Sequence, residues 1–462
     1  MNDYLDRPFI LVIFGITGDL SQRKLLPALY HLVKHRQLPE RIKIVGVSRH
    51  KVPVSEVYET LHQKIHGEDY DKAIVEQLHH ATEMLQIDLD NSSDYERLLE
   101  ELRVMSDELG PGVSRLYYLS IPAQAFVTVV HHLGETRHHE PFGQDSERPR
   151  LLVEKPFGYD TASAETLVQA ADEHFGEQQT FRIDHYLAKE TAQNILTFRF
   201  QNPLFQSIWN TKHIESIQIV AYETIGIENR VAFYEQTGAL RDILQSHLMQ
   251  LLALITMEKP AALESHDIHK SKLRLLESID TIAADEVETR AIRGQYDSYT
   301  SEVANQHSHV ETFARLHLKI DNEQWRGVQV SIETGKALHE KCTEIIVRFR
   351  ASEDAPGTNT LTFRVQPQEG ITLSLQAKRP GLSKETETVK MDFDYDRAFY
   401  GLTGDAYERV IIDAVRGDQS LFATAAEVLT SWRIVENVLE QWSETSNGLR
   451  IYPVGSPASD IV

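Results

Sequence analysis

The stretch Phe9–Leu32, FILVIFGITGDLSQRKLLPALYHL, constrains the fold more than any other part of the chain. An unbroken apolar run ends at Gly15, and a segment of helical periodicity follows. Such a run, bounded by a glycine, reads as a strand covered on both faces. Strand, glycine turn and helix together open a βαβ unit. Gly15 suits the tight turn, and Gly18 lets backbone approach a pyrophosphate at a helix N-terminus. Ser21 stands where G-x-G-x-x-G has its third glycine, and it is small enough for the helix to pack closely on the strand. Two glycines are a weak motif, and a purely structural turn carries them as well.

The alternation continues. RKLLPALYHLVKH reads as a helix despite Pro27, and Lys43–Arg49 as a second strand. A short strand near EMLQIDL, the helix DYERLLEELRVM, the strand RLYYLSI, a helix over about 124–133 and the strand Arg150–Pro156 follow. This pattern predicts a parallel sheet flanked by helices, an α/β Rossmann-like dinucleotide-binding domain over 1–183. From about Ile214 the pattern changes. ESIQIVAYE, FARLHLKI, VQVSIE, EIIVRFR, LTFRVQP and ITLSLQAK alternate polar with apolar residues, mostly without intervening helices. That predicts an α+β C-terminal domain over 184–462 with a large, mainly antiparallel sheet. Its expected helical cover is Arg241–Met257, DAYERVIIDAVRG and AAEVLTSWRIVENVLEQW.

A chain of 462 residues is long enough for two or three domains. Its formal net charge of −22 argues against nonspecific nucleic-acid binding, which needs a basic surface. No apolar run approaches the roughly 20 residues that cross a bilayer, so no membrane partner is expected. Cys342 is the single cysteine, which excludes an intrachain disulfide. With no secretory pattern at the N-terminus, a cytoplasmic location is expected. An anionic substrate on so acidic a chain requires a local cluster of Lys and Arg.

The end of the second strand sharpens the cofactor. NAD sites usually carry Asp or Glu there for the ribose 2′-hydroxyl. Here the residues are Ser48, Arg49, His50 and Lys51. An arginine forms a charge-assisted fork with a 2′-phosphate, so NADP is expected, with NAD as the weaker alternative. The alternative for Arg49 is a solvated residue after a strand.

Three further segments are VEKPFG (Val153–Gly158), RIDHYLAKE (Arg182–Glu190) and GALRDILQSHLMQ (Gly238–Gln250). With GITGDLSQRKL, the chain resembles the glucose-6-phosphate dehydrogenases. The likeness runs on through TFARLHLKID, ETGKALHEKCTEI, RVQPQEGI, DAYERVIIDAVRGDQSLF and WRIVENVLEQW. The resemblance implies oxidation of D-glucose 6-phosphate at C1 to 6-phospho-D-glucono-1,5-lactone with NADP, the first step of the oxidative pentose phosphate pathway. It also implies self-association as a dimer or tetramer.

It further implies the site residues. His247 is the expected proton acceptor, and histidine titrates near neutral pH. Asp184 pairs with it, stabilising and orienting the imidazolium. His185, Tyr186, Lys189, Lys336 and Lys341 are expected on the sugar phosphate. His185 and Lys189, four apart, are expected on one helical face near a helix N-terminus. Glu223, Asp242 and Gln366 are expected on the rest of the substrate, since carboxylates accept hydrogen bonds from sugar hydroxyls. Lys155 bridges substrate and cofactor. Gly15, Thr17, Gly18, Asp19, Leu20 and Arg49 border the cofactor, although Asp19 need not face the pyrophosphate.

Several positions depart from the family pattern: Ala123, Ala188, Thr224, Val231, Ala232, Phe233 and Ser246. Most surround the expected sugar site. The 21 histidines, with His62 and His66 four apart and pairs at 131–132 and 138–139, raise the question of a metal. No H-E-x-x-H motif or cysteine cluster accompanies them, and no metal is expected. Two rivals remain: a related sugar oxidoreductase on the same plan, and a non-catalytic NADP-binding regulatory homologue.

Overall fold

A computed structural model describes residues 3–65, 70–137, 148–351, 357–382, 384–399 and 404–462. His66, His138 and His139 lie outside the described residues. Two compact units emerge: Met1–Gly158 with Ala162–Ala188 and Gly404–Ala425, and Tyr159–Thr161 with Lys189–Thr403 and Ala426–Val462. A division at 183/184 treats each part as one continuous stretch, whereas these units exchange short segments.

The first unit is built on β1 (Phe9–Phe14), β2 (Ile42–Ser48), β3 (Thr82–Gln86), β4 (Ser114–Leu119), β5 (Arg150–Val153) and β6 (Thr180–Arg182). All pair in parallel, in the order β3-β2-β1-β4-β5-β6. Every residue of β1 is buried, which accounts for an unbroken apolar run instead of alternation. Side chains still alternate between faces. Phe9, Leu11 and Ile13 join one core with the helix Leu26–Lys34. Ile10, Val12 and Phe14 join another with the helices Ser92–Leu109 and Phe126–Arg137.

Pro27 is accommodated because the predicted helix is divided. The π-helical turn Ser21–Leu25 runs directly into the α-helix Leu26–Lys34, and Pro27 sits at this junction, as the second residue of the α-helix. The helix Ala406–Arg416 corrects an expectation. It does not cover the large sheet; Val410, Ile411 and Ala414 pack with Leu25 and Leu29 in the first unit. Asp405 caps its start, accepting the Tyr407 N–H at 2.9 Å, and Gly417, at φ +80°, ends it. Its amphipathic stripe is plain in the sequence, but a stripe does not say which core it joins.

The second unit carries β7 (Ile214–Tyr222), β8 (Ala291–Tyr296), β9 (Phe313–Leu318), β10 (Gln329–Gly335), β11 (Cys342–Phe349), β12 (Thr360–Gln366), β13 (Gly370–Lys378), β14 (Thr386–Asp394) and β15 (Leu449–Tyr452). Their order is β14-β13-β12-β11-β7-β10-β9-β8-β15. Pairing is antiparallel except for β10 on β7 and β15 on β8. The strands read from alternation are all present. β8 and β14 escaped it for opposite reasons: β8 buries Arg293 and Gln295, and β14 is largely exposed on both faces.

Two buried charge sites tie down the helices of this unit. Arg199 donates to the carbonyls of Leu254 and Met257 at 2.6 and 2.7 Å, a cation at a helix C-terminus. Burial pushes its guanidinium down to about 9. Lys272 and Glu427 form an ion pair at 2.8 Å with both side chains fully buried. Removing one partner of such a pair leaves a buried charge uncompensated, whereas removing both is close to neutral. We expect Lys272→Met or Glu427→Leu alone to destabilise the protein by about 3–5 kcal/mol. The double variant should recover most of that loss in urea unfolding; additive losses would contradict the account.

Candidate active site

The nucleotide end of the first unit is set by how closely its backbone passes. Gly15 has φ +79°, and a Cβ on it would stand 2.2 Å from the Ser120 carbonyl oxygen. Its N–H donates to the Val47 carbonyl at 3.0 Å, so the turn is fastened to β2 as well. The Gly18 N–H donates to the Gly15 carbonyl at 2.9 Å, and the fully buried Ser21 hydroxyl donates to the same oxygen at 3.0 Å. Ser21 therefore serves packing within the turn. Asp19 is exposed and pairs with Arg23 at 3.4 Å. Thr17 is exposed and Leu20 half-buried.

Beyond β2 the chain presents Arg49 and Lys51, which line a cleft of about 580 Å³. No carboxylate ends β2, and the Gln86 amide donates to the Arg49 carbonyl at 3.1 Å. Two glycines at the turn, with cations beyond the end of β2, fit a dinucleotide.

Further along the same unit, Glu154 and Lys155 follow β5. Glu154 accepts a hydrogen bond from the Tyr118 hydroxyl. Burial pushes its carboxyl up to about 7, against the pull of Tyr118, Lys155 and Tyr407. Asp184 is buried and accepts the Tyr186 N–H at 2.9 Å, closing an Asx turn. The His185 and Tyr186 rings lie 4.9 Å apart. One expectation is corrected here: residues 185–188 form a turn, and Lys189 is the extended N-cap of the helix Glu190–Gln201. His185 and Lys189 therefore do not share a helical face. Ala188 is buried and adds its methyl to the apolar core of its unit.

In the second unit, five expected substrate residues divide between one end of the sheet and a helical segment, and Lys189 stands apart at the start of the helix Glu190–Gln201. Tyr222, Gly335 and Cys342 are register partners, so Glu223, Lys336 and Lys341 leave three adjacent strands at the same end. Gln366 ends β12 there and donates to the Thr343 hydroxyl at 3.1 Å. Lys336 is buried, pairs with Glu223 and lies over the Tyr234 ring at 5.4 Å from its centroid. Lys341 is exposed. Lys189 pairs at 3.6 Å with Glu369, in the turn after β12, and the other Glu369 oxygen accepts the Thr191 N–H at 2.9 Å. Glu369 and Tyr234 were not read from the sequence. No local spacing links either to a lysine far away in the chain.

His247 and Asp242 lie on Leu240–Leu248, which is π-helical and runs into the α-helix Met249–Thr256. The sequence predicted one continuous α-helix. In a π-helix the hydrogen bonds close over five residues, so side chains five apart fall on roughly the same side of it. Asp242 and His247 have that spacing, and both are buried. Glu311 anchors the segment by accepting the Leu240 N–H at 2.9 Å. The anchor comes so close that a Cβ on Gly238, at φ +63°, would meet its carboxylate at 2.3 Å. Ser246 donates to the Asp242 carbonyl at 3.2 Å, within the same turn. Among the described residues no group of three or more His, Cys, Asp or Glu converges as a metal site would require, and no helix is long and apolar enough to cross a membrane.

Two family models match the chain: glucose-6-phosphate dehydrogenase, NAD binding domain, over residues 12–194, and glucose-6-phosphate dehydrogenase, C-terminal domain, over residues 196–460. Glucose-6-phosphate 1-dehydrogenase of Chlamydia muridarum is 39% identical, over 97% of this chain and 93% of the relative. That of Bacillus subtilis is 36% identical, over 97% and 94%. A solved glucose-6-phosphate dehydrogenase in complex with glucose 6-phosphate superposes with a TM-score of 0.90 at 32% identity, covering 99% of this chain and 96% of that one. The enzyme of Mycobacterium avium gives 0.83 at 30% identity, covering 98% and 96%. Levoglucosan dehydrogenase, at 9% identity and a TM-score of 0.54, shares the fold alone.

The Glu154 carboxyl supplies a pH test. Its folded pKa lies above the ordinary carboxylate range, so the protonated form is the one the fold favours. The stability it contributes is complete below that range and is lost as pH rises to about 7. We expect Glu154→Gln to be more resistant to thermal unfolding than the parent at pH 8, with the difference shrinking towards pH 5. A difference independent of pH would contradict the assignment.

Proposed function

Since the chain belongs to the glucose-6-phosphate dehydrogenase family, we propose that it oxidises D-glucose 6-phosphate at C1 to 6-phospho-D-glucono-1,5-lactone with NADP as its preferred acceptor. The observation that carries the reading is the gathering of Glu223, Lys336, Lys341 and Gln366 at one end of the large sheet of a chain that matches the family from end to end. The Gly15–Gly18 turn and Arg49 would hold the dinucleotide, whose nicotinamide, when bound, accepts the hydride from C1. Lys155 is assigned to the border between the two ligands.

His247 takes the proton of the C1 hydroxyl, and Asp184 orients its ring and stabilises the imidazolium. Lys189, Lys336, Lys341, His185 and Tyr186 bind the phosphate. Glu223, Asp242 and Gln366 accept from or donate to the sugar. In this reading the carboxylates that hold Lys336 and Lys189 are exchanged for phosphate oxygens when substrate enters. Glu223 is then released towards a hydroxyl. The protein works as a dimer or tetramer in the cytoplasm, since a single cysteine needs no oxidising compartment. Asp184 and His247 argue against a merely regulatory homologue, because binding alone requires no base.

Absorbance at 340 nm, followed with glucose 6-phosphate or free glucose and with NADP or NAD, tests the assignment. Reduction should require the phosphorylated sugar and be faster with NADP. Equal rates with glucose would favour a sugar oxidoreductase, and no reduction would favour a binding protein. His247→Asn should lower kcat by about 10²–10⁴ with little change in KM; a near-normal kcat would remove His247 from the role. Arg49→Ala should lower kcat/KM far more for NADP than for NAD, and equal losses would overturn the 2′-phosphate assignment.

A further inference from the structure

The cleft beyond β2 has a second arginine wall. Its lining includes Arg49, Lys51, Gln86, Asp88, Asp94 and Arg97. It lies outside the carboxyl ends of β2 and β3, the side of an open parallel sheet where ligands bind. Arg97 comes from a different element, the second turn of the helix Ser92–Leu109.

Arg97 is held in place without being consumed. Its Nη2 donates to the Gln86 carbonyl oxygen and pairs with Asp94 at 3.1 Å. The other Asp94 oxygen accepts the Asp88 N–H at 2.8 Å, so the carboxylate is itself fixed. Gln86 donates its amide to the Arg49 carbonyl at 3.1 Å, which joins the two arginines through one residue. Both contacts of Arg97 use one nitrogen. Its Nε and Nη1 donors are therefore available among the described residues, and half of its side chain is exposed. Arginine offers five donors in a rigid fork, and two forks on one cleft suit an anion with several oxygens.

We propose that Arg97 is a specificity-determining residue, a second cation for the 2′-phosphate of NADP acting with Arg49. The inference rests on the reading of the Arg49 cleft as the 2′-phosphate site. With NAD the same cleft meets only a neutral hydroxyl, which offers the two guanidinium groups no charge to pair with. The rival role for Arg97 is a structural tie between β3 and the helix. A tie would act on both dinucleotides alike.

The test compares the parent with Arg97→Met, Arg97→Lys and Arg49→Ala at saturating glucose 6-phosphate. Arg97→Met should reduce the ratio of kcat/KM for NADP over NAD by on the order of 10- to 100-fold. Arg97→Lys should recover part of the ratio. Adenosine 2′,5′-bisphosphate, used as a competitor, should lose potency against Arg97→Met, while adenosine 5′-monophosphate should not. An equal loss for both dinucleotides and both competitors, or no loss for either, would overturn the role of Arg97. If Arg49→Ala lowers the NADP-over-NAD ratio while Arg97→Met leaves it unchanged, this inference alone falls. If neither variant lowers it, the 2′-phosphate reading falls with it.

Discussion

The close passage of Gly15 against the end of β4 is the constraint on which the nucleotide end depends. β1 has β2 on one side and β4 on the other, so the order of strands reverses at that point. A crevice opens outside the carboxyl ends of strands where the order reverses. Only a residue without a Cβ can turn there, because the Ser120 carbonyl occupies the space. Ser21 and Gly18 then close the turn on the Gly15 carbonyl. Asp19 is turned to solvent against Arg23.

The second unit solves a different problem, how a chain of net charge −22 keeps cations ready for an anion. Lys336 and Lys189 are each matched with a carboxylate, Glu223 and Glu369. Such pairing avoids an uncompensated charge in a half-buried setting. It also suits a ligand that brings both a phosphate for the lysines and hydroxyls for the carboxylates. A plain phosphate would satisfy only half of the set. The π-helical segment adds Asp242 and His247, five residues apart on it and both buried.

Much of this was legible in the sequence. The strand and turn at Phe9–Gly18, the switch to alternating strands after Ile214 and the cationic end of β2 follow from periodicity and charge. What escaped has physical causes. β6 is three residues long, too short for any period. The π-helical turns of Ser21–Leu25 and Leu240–Leu248 look like α-helix because apolar spacing is nearly the same in both. The helix Ala406–Arg416 returns to the first unit from more than 200 residues away, and no local signal carries that. Glu369 and Arg97 became visible only when turns distant in sequence met lysine or arginine in space.

The central claim is that the hydrogen removed from the sugar is the one on C1 and that it passes as hydride to the dinucleotide. Glucose 6-phosphate deuterated at C1 tests this directly. After turnover with NADP, the account predicts that the deuterium is recovered in the reduced nicotinamide ring. Recovery of the deuterium in the sugar product or in water would contradict it.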